Sequence, residues 1–412
     1  MRGIQMAVVN AFNHNRLKSA RIFTGLTISE LADASGVSKQ AISQFENGKT
    51  KPTLETLMRL MFVLKFPREY FYEKDSIENV QVGNTFFRSL VSTSKKERLS
   101  QVEKTKYFSK ICDFLENYID FPSLNMPSVK DLIDLPESYL DNPKLLERDH
   151  IEEIALSLRN FWGIGDEPIT NIVFLLEKNG FIMTSLATDT NKIDAFSQRQ
   201  MIRNKERYII VLGDGKQSAS RRQFDTAHEL GHMLLHNWNT DFNEIFLEEH
   251  RLIEQQADTF AGAFLLPRDS FKKDLHYPNN LSFYIELKKK WKVSIQAMIV
   301  RAFHLGVINY NQYTYLMKQM NQKGLRKKEP LDDVLAVPQP ILISKAIEML
   351  LDNKVLKPKE IIEAGGFTLS QDMVEYLLNL KKGVLNEKSE KESLESLLHF
   401  RDHEGKVHAS ED

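Results

Sequence analysis

From residue 16 to residue 65, apolar side chains recur at helical spacing in four short bursts, each closed by a tight turn. Arg16–Phe23 forms the first, and Gly25 breaks it. Thr27 stands ahead of Ile28, Ser29 and Glu30, the spacing of a capping box, and Leu31 and Ala32 lead the apolar face of the helix it opens. Gly36 closes that helix and Val37 follows. Ser38 then caps a third helix, Lys39–Glu46, with Ala41, Ile42 and Phe45 on its buried side. Asn47-Gly48 is a turn, and Thr53 starts a fourth helix running through Lys65.

Beyond this set the texture changes several times. A polar link precedes a long helix opened by Ser94, with Glu97 three places on. The pattern leaves two roles open for that helix, a dimerisation element or a plain spacer. Helical and extended patterns then alternate, and helical periodicity returns at Ile341–Leu351 and Ser370–Lys381 with no chemistry-bearing residues, which predicts a packing cap. The basic cluster Lys323–Lys328 reads as a solvated connector. The predicted organisation is an all-α helix-turn-helix domain over 12–75, a linker and long helix over 76–120, and an α+β domain with a small sheet over 121–325. A helical C-terminal region over 326–385 and a charged, disordered tail over 386–412 complete it.

Charge and composition narrow the function. The 412 residues carry 55 Lys and Arg against 56 Asp and Glu, so any nucleic-acid contact must sit in a local patch. Residues 16–51 supply one: Arg16, Lys18, Arg21, Lys39, Lys49 and Lys51 outnumber Glu30, Asp33 and Glu46, an excess of +3. The single cysteine, Cys112, excludes an intramolecular disulfide and directs a search for metal ligands to His and carboxylate. No apolar run is long enough for a membrane helix and Met1–Asn15 lacks a signal-peptide core, so a cytoplasmic protein without membrane contact is expected.

Helix, glycine turn, helix is the helix-turn-helix arrangement, which presents the start of its second helix to base edges. Lys39, Gln40, Ser43 and Gln44 are the polar side chains there. Gln pairs bidentately with adenine, and Lys and Ser reach phosphate or guanine. Lys49 follows as a phosphate contact. The segment RLKSARIFTGLTISELADASGVSKQAISQFENGKTKPTLETLMRL resembles the XRE/Cro/C1-type helix-turn-helix family over about sixty residues. Leu26-Thr27, Glu30-Leu31-Ala32, Gly36-Val37-Ser38, Ile42-Ser43, Glu46-Asn47-Gly48 and Pro52 carry the match. The resemblance implies a double-stranded DNA operator and, with palindromic sites, a homodimer. One departure is Ile28, where the family often has a phosphate-holding Gln; affinity or half-site geometry is expected to differ.

A second motif is chemical. In Ala227-His228-Glu229-Leu230-Gly231-His232-Met233-Leu234-Leu235-His236, His228 and His232 lie one helical turn apart and can reach one ion. Zn²⁺ takes such nitrogens at ~2.0–2.1 Å and keeps a position open, and Glu229 can act as the base. A third ligand is needed. Glu254 and Asp258, four apart on a downstream helix, can supply it, one ligating and the other holding a ligand histidine; their order is open on spacing alone. Glu248, Glu249 and His250, placed in a loop, are weaker candidates. His236 is expected to support rather than ligate. Trp238, where a metzincin has a third His, excludes that class. Tyr208, Arg221 and Arg222 are candidates for an oxyanion donor, and Arg207–Leu212 for an exposed edge strand that a substrate peptide extends.

AHELGHMLLH followed by IEQQADTFAGAFLLP is similar to the ImmA/IrrE family of metallopeptidases. FWGIGDEPITNIVFLLEKNGFIM, KIDAFS, RYIIVL and SRRQFDTAHELGH keep the same order of helix, three strands and active helix, over roughly residues 148–268. This resemblance implies zinc on His228, His232 and Glu254 with Glu229 as general base. It also implies cleavage of XRE-type repressors in mobile-element or stress responses. A regulator with a zinc endopeptidase that cuts a repressor, a toxin or itself is the leading expectation. The alternatives are a transcription factor with a non-catalytic zinc sensor or scaffold, and a toxin–antitoxin component acting by protein binding.

Overall fold

The computed structural model describes residues 11–73, 80–87, 94–136, 138–186, 195–215, 218–236, 247–366 and 368–386. Trp238 and the tail from residue 387 lie outside them. The N-terminal unit is four helices: α1 (His14–Phe23), α2 (Ile28–Ser35), α3 (Lys39–Glu46) and α4 (Leu54–Leu64). Their ends follow the local signals. Thr27 and Glu30 close a reciprocal capping box on α2, Gly36 leaves α2 in the left-handed region at φ 68°, and Ser38 accepts from the Ala41 N–H.

The chain next forms β1 (Gln81–Phe87) and the long helix α5 (Lys95–Leu115). Two short helices, α6 (Val129–Leu132) and α7 (Ser138–Asp141), precede α8 (Arg148–Phe161) and α9 (Ile172–Lys178). Strands β2 (Ile182–Leu186), β3 (Ala195–Ile202) and β4 (Lys205–Gly213) follow. Helices α10 (Ala219–Leu235), α11 (Leu247–Leu265), α12 (Arg268–Asp274), α13 (Leu281–Trp291), α14 (Ile295–His304) and α15 (Tyr310–Gln322) complete this body. The C-terminal region adds α16 (Leu342–Asp352), α17 (Pro358–Ile362) and α18 (Gln371–Leu377).

The sheet order is β1-β3-β4-β2, with β2 parallel to β4 and the other pairs antiparallel. Two expectations change here. The link at 76–120 contributes a strand: β1 pairs with β3, Gln81 opposite Met201 and Phe87 opposite Phe196. No alternation of apolar residues in its text (QVGNTFF) announces it. Arg207–Leu212 is not a free edge, because β4 lies between β3 and β2 with both sides hydrogen-bonded.

Alternation along the strands splits the sheet between two cores. Met183, Ala195, Ile210 and Leu212 face a core built with α8 to α11 and α13 to α15. Ile182, Leu186, Phe196, Ile209 and Val211 face the second. That second core also holds Leu17, Phe23, Ile42 and Leu60 of the N-terminal helices and Ile347, Leu350, Val374 and Leu377 of the C-terminal region. At its centre are Tyr107, Phe108, Ile111, Cys112 and Leu115 of α5, all fully buried. The long helix is therefore not a plain spacer but the shared spine of three regions. Polar ties reinforce it. Thr105 donates to Gln198 Oε1 at 2.6 Å on β3, Ser100 donates to the Phe23 carbonyl at 2.8 Å, and buried Arg207 pairs with Asp113 and Glu116 at 2.9 Å. The C-terminal cap docks through Glu177 of α9, which accepts from the N–H groups of Ile341 and Leu342 at the start of α16. Among the described residues no helix is long and apolar enough to cross a membrane.

Candidate metal centre and DNA-reading surface

Gly231 explains how two helices meet tightly enough to gather ligands. A Cβ there would stand 3.0 Å from a ring carbon of Phe260 and 3.3 Å from the Ala257 backbone on α11. The missing side chain lets α10 and α11 approach and brings Glu254 opposite His228 and His232. The two imidazole Nε2 atoms lie 2.9 Å apart, and they stand 3.4 and 3.3 Å from the two oxygens of Glu254. Four ligands at ~2.0–2.1 Å around a tetrahedral ion are ~3.3 Å from one another. Among the described residues His228, His232 and Glu254 form the one group whose donor atoms all fall within 4.8 Å, and the donor set fits a zinc-type cation.

Each histidine is held from behind. His228 Nδ1 meets Asp258 Oδ1 at 2.8 Å. His232 Nδ1 meets His236 Nδ1 at 3.0 Å. His236 Nε2 in turn faces Gln256 Oε1 at 3.3 Å, and the Gln256 amide donates to the Leu146 carbonyl at 2.9 Å. Such contacts set ring orientation and direct Nε2 to the ion. Gln256 is absent from the expectations above; its signal is its place two residues after Glu254 on a helix whose 254–258 register is already occupied by acids. Glu248, Glu249 and His250 stand on the first turn of α11 rather than in a loop, and His250 reaches only to 3.9 Å of Glu254.

Electrostatics suits ligation. Burial, followed by repulsion from His228, pushes His232 down to about 4, and burial, followed by repulsion from His232, holds His236 well below the usual imidazole range. Burial works to raise Glu254, but hydrogen bonds from both imidazoles outweigh it and hold the carboxyl well below the usual range. His232 is therefore neutral and the Glu254 carboxylate charged near neutrality, the states a cation needs. Glu229 follows His228 on the same helix and is fully buried. Of the oxyanion candidates, Arg222 is buried and donates to the Gly213 carbonyl at 2.8 Å, Tyr208 packs on Phe181, and Arg221 lines a cavity at the start of α10.

On the N-terminal unit, Lys39, Gln40 and Lys49 are exposed and Ser43 and Gln44 half-buried, all on or just past α3. Ile42 and Phe45 point into the core. The local charge excess is redistributed. Arg16 is buried against Glu73 at 3.0 Å, and Arg21 grips Glu46 bidentately at 2.6 and 2.8 Å while donating to the Leu26 carbonyl. Arg21 thus fixes α1 to the reader pair, while Arg16 ties it to the segment after α4. Of the six cations counted over residues 16–51, the exposed ones are Lys18, Lys39, Lys49 and Lys51.

Comparison with known families agrees with this division. Residues 17–71 match the family model described as helix-turn-helix, and residues 181–303 match a peptidase family described as the IrrE N-terminal-like domain. No curated protein matches the chain. A DNA-binding-type helix-turn-helix domain of the XRE kind and an ImmA/IrrE-type domain are thus both present, in that order. The chain has the architecture of a regulator with a protease-like domain.

Proposed function

We propose that the protein is a DNA-binding transcriptional regulator whose second domain is a zinc-dependent endopeptidase. Its substrate is a partner protein, such as an XRE-type repressor or a toxin, or the chain itself, in a stress or mobile-element response. The observation that carries this is the convergence of His228, His232 and Glu254 on one point, with Glu229 beside them on the helix. Zinc held there would supply Lewis-acid chemistry, acidifying a water and polarising the scissile carbonyl. Glu229 serves as general base, taking the proton of the attacking water and later passing it to the leaving amine. Asp258, and His236 through Gln256, keep the two imidazoles turned so that Nε2 faces the ion. On the other unit, Lys39, Gln40, Ser43 and Gln44 contact base edges and phosphate, and Lys49 contacts phosphate. Operator binding is by a homodimer and places the protein's work in the cytoplasm.

The test pairs zinc-loaded wild type with Glu229→Gln against repressors encoded by neighbouring genes. Both should hold zinc. The wild type should cut one of them, and the variant about 10²–10⁴-fold more slowly. Equal cleavage by both, or none by the wild type across the panel, removes the peptidase reading.

A further inference from the structure

The cluster Lys323–Lys328, read from its charges as a solvated connector, keeps its cationic side chains exposed, but the residues that follow it are built into the body. Glu329 turns inward and caps α14, accepting from the N–H groups of Ile295 at 2.8 Å and Gln296 at 3.1 Å. Fully buried Lys288 on α13 donates to Glu329 at 2.8 Å and to Asp332 at 2.6 Å, and the Glu329 N–H donates to Asp332 at 2.8 Å. These bonds pin Arg326, Lys327 and Lys328 as one wall of a cavity of about 550 Å³. The other walls are the first half of α10, one face of α11 and the length of α14 from Ser294 to His304. Asp258, which holds His228, lines this cavity, as does Asp225, one turn before His228. The cavity therefore adjoins the metal centre.

Most of its charges are already spent. Arg301 is engaged bidentately by Glu152, Lys328 pairs with Asp333 at 2.6 Å, and Glu329 and Asp332 share Lys288. Among the described residues, Arg326 and Lys327 form no ion pair; both are exposed where they line the cavity, whose other walls also carry Asp225 and Asp258. The neighbouring Glu329 and Asp332 anchor this segment, so a countercharge entering the cavity has the two side chains to order but not the chain that carries them. The volume falls within the range of small-ligand sites, roughly 300–1,000 Å³, and accommodates a few side chains.

We propose that this cavity is a substrate subsite of the endopeptidase and selects a peptide with an Asp or Glu a few positions from the cut, with Arg326 and Lys327 as the specificity-determining residues. The inference rests on the peptidase reading above and adds the chemistry of the substrate.

Binding separates the two. A fluorescein-labelled peptide of alternating Glu and Ala is titrated by fluorescence polarisation into full-length, zinc-loaded Glu229→Gln protein, alongside its Gln–Ala and Lys–Ala counterparts. The Glu peptide should bind at least ten-fold tighter than the Gln peptide, with the advantage shrinking as salt rises. In the Arg326→Ala/Lys327→Ala background the advantage should vanish. In Arg326→Glu/Lys327→Glu it should pass to the Lys peptide, with zinc content unchanged throughout. Parity of the Glu and Gln peptides in the parent protein, or an acidic preference that survives the double alanine variant, overturns the proposal. Failure of the peptidase reading looks different: the acidic preference is present and depends on Arg326 and Lys327, yet wild type cuts no peptide.

Discussion

Gln40 and Gln44 stand one turn apart on α3, and neither packs into the core below. The energetic work of holding the helix is done by Ile42 and Phe45, so the glutamines are available for bases. A bidentate side chain on a base edge is worth about 1–3 kcal/mol of discrimination. Replacing both by Ala should therefore weaken binding to an operator selected from random duplexes by roughly 5- to 150-fold per contact, while zinc content and thermal midpoint stay put. Retained specific binding would show that another surface reads the DNA. The charge census needed the structure to be interpreted: Arg16 and Arg21 count as basic in the sequence but serve as internal clamps on Glu73 and Glu46.

Two elements make separate predictions. The first is the α10–α11 contact. Since Ala257 backbone atoms and the Phe260 ring stand at 3.0–3.3 Å from where a Cβ would lie, Gly231→Ala is expected to shift α11 by a few tenths of an ångström, a repacking cost of about 1–3 kcal/mol. Glu254 recedes with α11. The expected outcome is a lower thermal midpoint together with weakened zinc binding in a chelator competition, and a variant that keeps full zinc affinity would show that the close approach is not what sets the ligand geometry. The second is α4, which exposes Leu54, Met58 and Phe62 at 55%, 60% and 76%, all on one stripe. Read in the reverse direction the stripe opposes itself, Leu54 to Phe62 and Met58 to Met58, as a two-fold axis through Met58 requires. Three side chains bury less than a stable free dimer needs, so in the homodimer proposed above this face would pair only on the operator. Met58→Glu should abolish cooperative occupancy of the two half-sites in gel shifts, leaving binding to a single half-site intact; unchanged cooperativity would rule this face out.

At this scale the sequence was a good guide wherever structure is local. Thr27, Ser38 and Thr53 cap the helices their spacing announces, and His228 and His232 share a face because four residues make a turn. It was silent where partners are distant. β1 has no period-two signal because its role is set by β3, more than a hundred residues on. The run Lys323–Lys328 reads as solvated because its anchor is the neighbouring Glu329, whose partners are Lys288 and the start of α14.

In the whole molecule, α5 and the outer face of the sheet join reader, peptidase body and C-terminal cap in one core. Phe108 is fully buried there. Phe108→Ala, a cavity-forming loss of about 3–5 kcal/mol, should lower the midpoints for helix loss and for zinc release together, because neither half has that core to itself. Calorimetry of the wild type should show the two events coinciding. Reader helices that persist after the zinc has left would contradict this.

Arg16 of α1 reaching the Gly366 carbonyl, with Glu73 accepting from Thr368, has a geometric consequence. Helix α1, which holds α3 through Arg21 and Glu46, is thereby tied to the C-terminal region. Under the function proposed above, a bearing that α3 takes along the duplex would pass to the metal centre through the shared core, so the reach around an operator would be set by the folded chain rather than by the length of a tether.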